Sequence, residues 1–378
     1  MQTLDLQAPQ KASRFTTYFN SLKDPRRTHK GNYSYPLDEI LFLTISAVVS
    51  GVDNWVMMPV FGNTKLSWLR KFFPYKNGIP SHDVLGKLFA KLDTQEFSKC
   101  FSNWINSISQ LTKGEVVAID GKTICNSNKT NEPKSALHVV SAYASDNKLC
   151  IGQETIAKKS NEITAIPKLL QLLELKDCIV SIDAMGCQKE IAKKVVQKKA
   201  DYLLMVKNNQ PGLKEQITKL FDITEIAESD INIDSGHGRI ETRKCEIITD
   251  LRFLDGAKDW DGLKSIIRIE SERIEKKTGK SSNETRYYIS SIDKNAKRIN
   301  KSIRSHWAIE NNLHWSLDVL FKEDDSLKKI GNSAANFNII LKLALAMIEK
   351  EKSRKRSKPI KRMTAALDDK YREKILKC

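Results

Sequence analysis

At residue 115 the chain changes its hydrophobic period, and that change limits the folds open to it. Upstream, apolar residues recur at three- and four-residue spacing. Leu37, Ile40, Leu41, Leu43, Ala47 and Val48 follow Pro36; Val84, Leu85, Leu88, Phe89 and Leu92 follow Ser81; Phe97, Phe101, Trp104, Ile105 and Ile108 follow Thr94. These are the stripes of short helices, with Ser81 and Thr94 placed to cap two of them. Downstream come short apolar runs over 115–120, 137–144 and 149–156, the last two separated by the turn sequence Ser-Asp-Asn-Lys. A helical stripe of Ile163, Ile166, Leu169, Leu170 and Leu173 follows. Then come a strand over 178–183, a helix through Ile191, Val195 and Val196, and a strand over 202–206. The order β-β-β-α-β-α-β predicts an α/β fold with a central sheet and helices packed on it.

Residues 211–293 are less regular, with strand-like runs at 240–248, 265–275 and 285–292 that predict a mostly antiparallel insertion. Helical character returns near Ala296, continues to Leu320, and is followed by a last apolar helix over 334–348. Residues 350–362 hold eight basic residues and one acid, which reads as a solvated tail. The expected organisation is therefore an N-terminal helical domain (1–112), a catalytic domain (113–350) with a β-rich insertion, and a basic C-terminal tail (351–378). Seven scattered cysteines with no CxxC pair argue against a disulfide framework and a zinc ribbon. No apolar run approaches the ~20 residues of a membrane span, and no signal peptide is visible. The expectation is a reduced, soluble, cytoplasmic protein. The net charge of +17 makes nucleic acid the first partner to consider.

Two predicted strands end alike, in Ala-Ile-Asp120-Gly-Lys and Ser-Ile-Asp183-Ala-Met-Gly. An acid directly after a buried strand, twice, suggests two carboxylates converging on a hard cation such as Mg²⁺ or Mn²⁺. The plainer alternative is that each Asp caps a following turn. Four residues that recur at fours, His306, Glu310, His314 and Asp318, would share one face of a helix, drifting ~40° per step. The two histidines are eight apart with an acid between them, which is not the HExxH zinc arrangement. Glu323, Asp324 and Asp325 are rival acids expected in a solvated turn. His138, at the start of an apolar strand, reads as structural. Lys122 is ambiguous on residue type alone. Arg239, Glu241 and Arg243 alternate, so they share one face of a strand; that face would either grip a phosphate backbone or form an exposed salt-bridged edge.

The chain resembles the bacterial insertion-sequence DDE transposases of the group that includes the H-repeat-associated proteins. The resemblance runs in order from about residue 14 to 350. It is carried by Asp24-Pro-Arg26, Tyr35-Pro-Leu-Asp-Glu-Ile40, Gly78-Ile-Pro-Ser-His-Asp83, Ala118-Ile-Asp-Gly-Lys122 and Lys159-Ser-Asn-Glu-Ile163. It continues through Ile182-Asp-Ala-Met-Gly-Cys-Gln188, Lys207-Asn-Asn-Gln210, Gly236-His-Gly-Arg-Ile-Glu-Thr-Arg243 and His306-Trp-Ala-Ile-Glu-Asn-Asn-Leu-His-Trp-Ser-Leu-Asp318.

The resemblance implies a ribonuclease-H-like mixed sheet flanked by helices, with Asp120, Asp183 and Glu310 as catalytic and metal-binding acids for two Mg²⁺ (or Mn²⁺) ions. It implies cleavage at the ends of an insertion element and strand transfer into target DNA. The partners would be double-stranded DNA (terminal inverted repeats and target) and other copies of the chain in a dimer or higher multimer, in the cytoplasm of a bacterium at its nucleoid. The broader group places an Arg four residues before the glutamate and a Lys seven after it; here those positions are His306 and Leu317. Arg304, His306 and His314 are thus the local candidates for DNA contact. The DNA chemistry that the resemblance implies would also make Lys122 and Lys207 candidates to hold flanking phosphates, against a reading as plain surface lysines. Two rivals remain: a catalytically inactive or domesticated DNA-binding protein, and a structure-specific nuclease on the same fold. The charge is uneven, with 13 basic against 8 acidic residues in 1–112, 38 against 34 in 113–349, and 12 against 4 in 350–378.

Overall fold

The computed structural model describes residues 17–26, 34–127, 136–156, 161–236 and 238–377. Lys159, Ser160 and His237, which contribute to two of the family stretches, lie outside the described residues, as do residues 1–16 of the predicted N-terminal domain.

The upstream helices are α1 (Leu37–Val49), α2 (Met57–Thr64), α3 (His82–Lys91) and α4 (Thr94–Ile108). Ser81 caps α3, its hydroxyl accepting from the Val84 N–H. The next cap is one residue earlier than expected. Asp93 accepts from the Glu96 N–H at 2.8 Å, and Thr94 is the first helical residue. A charged acceptor at an N-cap also meets the positive end of the helix dipole, which favours Asp over the neighbouring Thr.

The sheet strands are β1 (Val116–Ile124), β2 (Leu137–Ala144), β3 (Leu149–Thr155), β4 (Ile179–Ile182), β5 (Asp201–Val206), β6 (Glu228–Gly236), β7 (Arg239–Ile248), β8 (Ser265–Glu275) and β9 (Ser281–Ser290). Helices α5 (Glu162–Leu172), α6 (Lys189–Gln197) and α7 (Pro211–Ile223) connect the middle strands. The first five strands stand in the order β3-β2-β1-β4-β5, with β1, β4 and β5 parallel and β2 antiparallel. This is the central sheet that the element order predicted, in the ribonuclease-H-like arrangement that the resemblance implied. The insertion extends the same sheet, because β9 pairs antiparallel with β5 and carries β8, β7 and β6 outward to give nine strands. β6 has no counterpart in the sequence reading: it is a half-exposed edge strand, Glu-Ser-Asp-Ile-Asn-Ile-Asp-Ser-Gly, with little apolar content to mark it.

Downstream lie α8 (Ala296–His306), a π-helical segment (Ile309–His314), α9 (Trp315–Phe321) and α10 (Ser333–Lys350). α10 is buried almost all round, since it lies between the sheet and helices α1, α3 and α4. One continuous core runs from Phe19 through α10 to Ile375, so the upstream helices share their apolar interior with the sheet domain.

The solvated tail is overturned. Residues beyond 350 form α11 (Lys358–Leu367) and α12 (Asp369–Leu376), which pack on α1 and α10. Three of their basic side chains are buried. Lys361 donates to the Ile348 carbonyl at 3.0 Å, Arg362 to the carbonyl of Val48 at 3.0 Å, and Arg372 to that of Ala365 at 2.8 Å while its guanidinium lies over the Trp68 ring. Helix-end carbonyls and aromatic faces satisfy these cations, so a charge run becomes a packing surface. Among the described residues no helix is long and apolar enough to cross a membrane.

Candidate active site

β1 and β4 bring the two aspartates side by side. They are parallel and in register from Val116↔Ile179 to Ile119↔Ile182, so Asp120 and Asp183 occupy the next step. Side chains alternate along a strand, which puts both carboxylates on the same face as Val116 and Ile179, the face that α8 covers. β1 does not end at Asp120, as the sequence suggested, but continues beside β2 to Ile124. β4 does stop, and Asp183 caps the 3₁₀ turn that follows, its Oδ1 accepting from the N–H groups of Met185 (3.1 Å) and Gly186 (3.4 Å). The capping and the convergence of the two acids are therefore both realised.

The third acid arrives on an unexpected backbone. The segment read as one helix is broken into α8, the π-helical segment and α9. A turn closed by i→i+5 bonds winds less per residue, which takes back the drift that four-residue spacing accumulates on an α-helix. The polar stripe thereby keeps to the sheet: His306 bonds to the Ser181 backbone of β4, His314 Nδ1 lies 3.5 Å from Asp120 Oδ2, and Asp318 bonds Lys122 of β1. Glu310, in the first turn of the π segment, is exposed but close enough to act on Asp120 electrostatically.

These acids are not neutralised. Asp120 is pushed up to about 7, first by burial, then by repulsion from Asp183 and Glu310 and, more weakly, Glu162. Asp183 is also raised, by burial first and Glu162 second, against hydrogen bonds from Gly186 and Met185 and the charge of Lys207. Carboxylates that repel one another at a strand-end site are the donor set a hard divalent cation fits.

A second acid group lies nearby. Asp318, Glu323 and Asp324 present oxygens within 4.8 Å of one another, and Lys122 sits among them, bonded to Asp318 and to Glu323 (2.9 Å) and 3.8 Å from Asp324. Glu323 is buried at 3% exposure and also takes the Asn338 amide, so the solvated turn expected there is in part an interior ion cluster. Lys122 is thus held by this cluster.

The two histidines proposed for DNA contact lie against the sheet. His306 is buried and held near 4 by burial; His314 is held near 3, by burial and then by the charges of Lys342 and Lys122. Both imidazoles are neutral at pH 7 and are not cationic phosphate contacts. Lys342, the one basic interruption of the last apolar run, is fully inside, donating to Ser141 Oγ and Gln153 Oε1 at 2.8 Å each.

The arginines gather elsewhere. β7 is an interior strand, not an edge, and Arg239, Glu241 and Arg243 line a trough of about 490 Å³ between the insertion and the end of α8. Arg273, Arg286 and Arg304 complete it, with Trp307 under Arg286 at 4.9 Å. Arg273 and Arg286 carried no sequence signal: β8 pairs with β7, and β9 with β8, only in the sheet. Arg243 is buried, and its Nε has no hydrogen-bond partner. Arg304 is tied to Asp234, and Lys207, exposed at the end of β5, adds positive charge near Asp183.

Comparison with known proteins agrees with this geometry. A family model described as "Transposase DDE domain" matches residues 111–347, and one described as "DDE_Tnp_1-associated" matches 16–105. "Putative transposase YncI" of Escherichia coli O157:H7 is 41% identical over 95% of this chain and 93% of its own length. "H repeat-associated putative transposase YhhI" of E. coli K12 is 36% identical over 95% and 96%, and "Putative protein YbfL" of the same strain 38% identical over 90% and 92%. The chain belongs to the DDE transposase family, in the company of H-repeat-associated proteins.

Proposed function

We propose that this transposase cuts DNA at the ends of an insertion element, in the presence of Mg²⁺ or Mn²⁺, and joins the resulting 3′ ends to target DNA. The observation that carries this reading is the pairing in register of β1 and β4, which sets Asp120 and Asp183 side by side at the next step, with Glu310 near enough to act on Asp120. Asp120, Asp183 and Glu310 would hold the divalent ions. When bound, such ions supply an activated oxygen nucleophile and stabilise the leaving oxygen of an in-line displacement at phosphorus.

The remaining residues act on the DNA. The trough gathers arginines whose forks would exchange their carboxylate partners, Glu241, Glu284 and Asp234, for phosphate oxygens, and it adjoins the π segment that carries Glu310. A phosphate there would supply the acceptor that buried Arg243 Nε lacks. Lys207 stands where it can hold a phosphate beside Asp183. His314, neutral and against Asp120, restricts water on that side of the carboxylate without competing for it as a cation. The upstream helical region would serve end recognition or assembly, and pairing two element ends calls for at least two copies of the chain.

The test is cleavage of a duplex carrying an element end, with Mg²⁺ or Mn²⁺ present. Asp120→Asn is expected to abolish strand cutting while leaving the DNA footprint in place. Cutting at the wild-type rate by Asp120→Asn would overturn the assignment. A wild-type chain that footprints the ends but never cuts them would instead be a binding protein on this fold.

A further inference from the structure

The family motif around Asp120 contains a glycine whose need is explained by its surroundings. Gly121 follows Asp120 on β1, so its missing side chain would point to the opposite face, where α5 lies. A Cβ there would meet the carboxylate of Glu162, and would stand 2.7 Å from His138 Nε2. Glu162 is the first residue of α5. The capping of that helix is done by its neighbours, since Asn161 and Thr164 bond each other's backbone reciprocally. The Glu162 side chain is thus free to reach over Gly121.

Its aim is fixed by a short chain of hydrogen bonds. His138 Nε2 bonds Glu162 Oε1 at 2.6 Å, and His138 Nδ1 bonds Thr123 Oγ1 at 2.7 Å. With the threonine hydroxyl donating to Nδ1, Nε2–H donates to the carboxylate; a neutral imidazole satisfies both. A glutamate serving only as a brace is expected to have its oxygens saturated or a cation beside it. Glu115 is such a case, accepting from the N–H groups of Thr112 and Asn147 and from the Asn147 amide. The Glu162 carboxylate instead stands directly over Gly121, the residue after Asp120, held there by His138 and within electrostatic range of Asp120 and Asp183. The meeting is possible because β4 stops at Ile182 while β1 runs on to Ile124, which leaves the sheet open beside Asp183.

We propose that Glu162 is a fourth carboxylate of the divalent-ion site, aimed by His138 across Gly121, so that the ions are ligated from both faces of the sheet. This rests on the ion-dependent reading of Asp120, Asp183 and Glu310, and adds a ligand from α5 to it. His138 is a positioning residue, and Gly121 supplies the room.

The experiment is Mn²⁺ binding to the full chain without DNA, followed by calorimetry and by the electron paramagnetic resonance of free Mn²⁺. Glu162→Gln, which keeps the hydrogen bond to His138, is expected to weaken Mn²⁺ binding about tenfold or more, or to remove one ion. Glu162→Asp, with the charge kept and the reach shortened, should lose less, and His138→Gln should weaken binding with Glu162 intact. Asp120→Asn is titrated alongside. Loss of Mn²⁺ in Asp120→Asn with wild-type affinity and stoichiometry in both Glu162 variants would overturn the fourth ligand and leave the three-acid site standing. A wild-type chain that takes up no Mn²⁺ would overturn both.

Discussion

Two groups of acids flank the same stretch of helix, and they have opposite electrostatics. Asp318, Glu323 and Asp324 enclose the Lys122 ammonium, and although burial works against that charge, Glu323 and Asp318 hold it on and raise the lysine overall. Among the described residues, Asp120, Asp183 and Glu310 enclose no cation as the other group encloses Lys122, Lys207 acting on Asp183 from the end of β5, and Asp120 is driven up to about 7. By distance alone the first group is the tighter cluster. By charge it is already complete, whereas the second has an unmet demand. A metal site is thus better recognised by uncompensated repulsion than by the closeness of its oxygens. The lysine two residues from Asp120 then has a structural reading: it fastens to β1 the helix α9, which follows directly on the π segment that carries Glu310.

That contrast can be broken at several points. The largest effect is expected in catalysis, where Asp183→Asn should lower Mg²⁺-dependent cleavage of an element end by roughly a thousandfold or more; a fall of less than tenfold would remove Asp183 from the site. Next is Lys122→Met, which leaves Glu323 buried beside two acids. It should destabilise the chain by about 3 to 5 kcal/mol in urea unfolding, and no change would show the cluster to be solvated after all. Asp120→Asn, measured in EDTA at pH 8, should do the reverse. A carboxylate raised from 3.8 to about 7 loses stability as pH climbs through that window, so its neutral substitute should gain roughly 2 to 4 kcal/mol. Equal losses in the two variants would dissolve the distinction between the groups.

Smaller effects test the stripe that joins the groups. His306 is depressed from 6.5 to about 4, so the unfolded chain takes up its proton first and stability falls as pH drops from about 6.5 to 4. Relative to His306→Gln, the wild type should lose an additional ~2 to 3 kcal/mol across that range, read from melts at pH 7 and pH 4.5. The smallest change is expected for Arg304→Ala. The Arg304–Asp234 pair is half-exposed on both sides and should contribute less than about 1 kcal/mol, so a large loss of stability there would mean that the trough is part of the folded core rather than a place for phosphate.

Much of this was legible from residue order. The strand and helix sequence from 115 to 206 read correctly because each element is long enough to show its period and is closed by turn residues, as at the hairpin between β2 and β3. The two aspartates stand out in the sequence as a pair, each directly after a buried apolar run, whereas either one alone reads as a turn cap. β6 was missed because an edge strand needs little apolar content. The π segment was missed because nothing in residue type separates it from an α-helix; its winding is set by the sheet beneath it. Glu162 stood within a family stretch with no role attached, since its partners, Gly121 and His138, come from strands on the far side of a fold-back.

The sequence by itself determined the class of fold and the order of elements from 115 to 206, and it singled out the acids at two strand ends, because local periodicity and the residue chosen at a strand end are encoded residue by residue. The tertiary structure decided which charges are spent. Lys122, His306, His314, Arg362 and Arg372 all looked available as cations along the chain, and each is bound, neutral or buried in the fold. Whether a charge is free depends on what other segments bring within a few ångströms of it, and that distance is a property of packing, which no stretch of sequence carries alone.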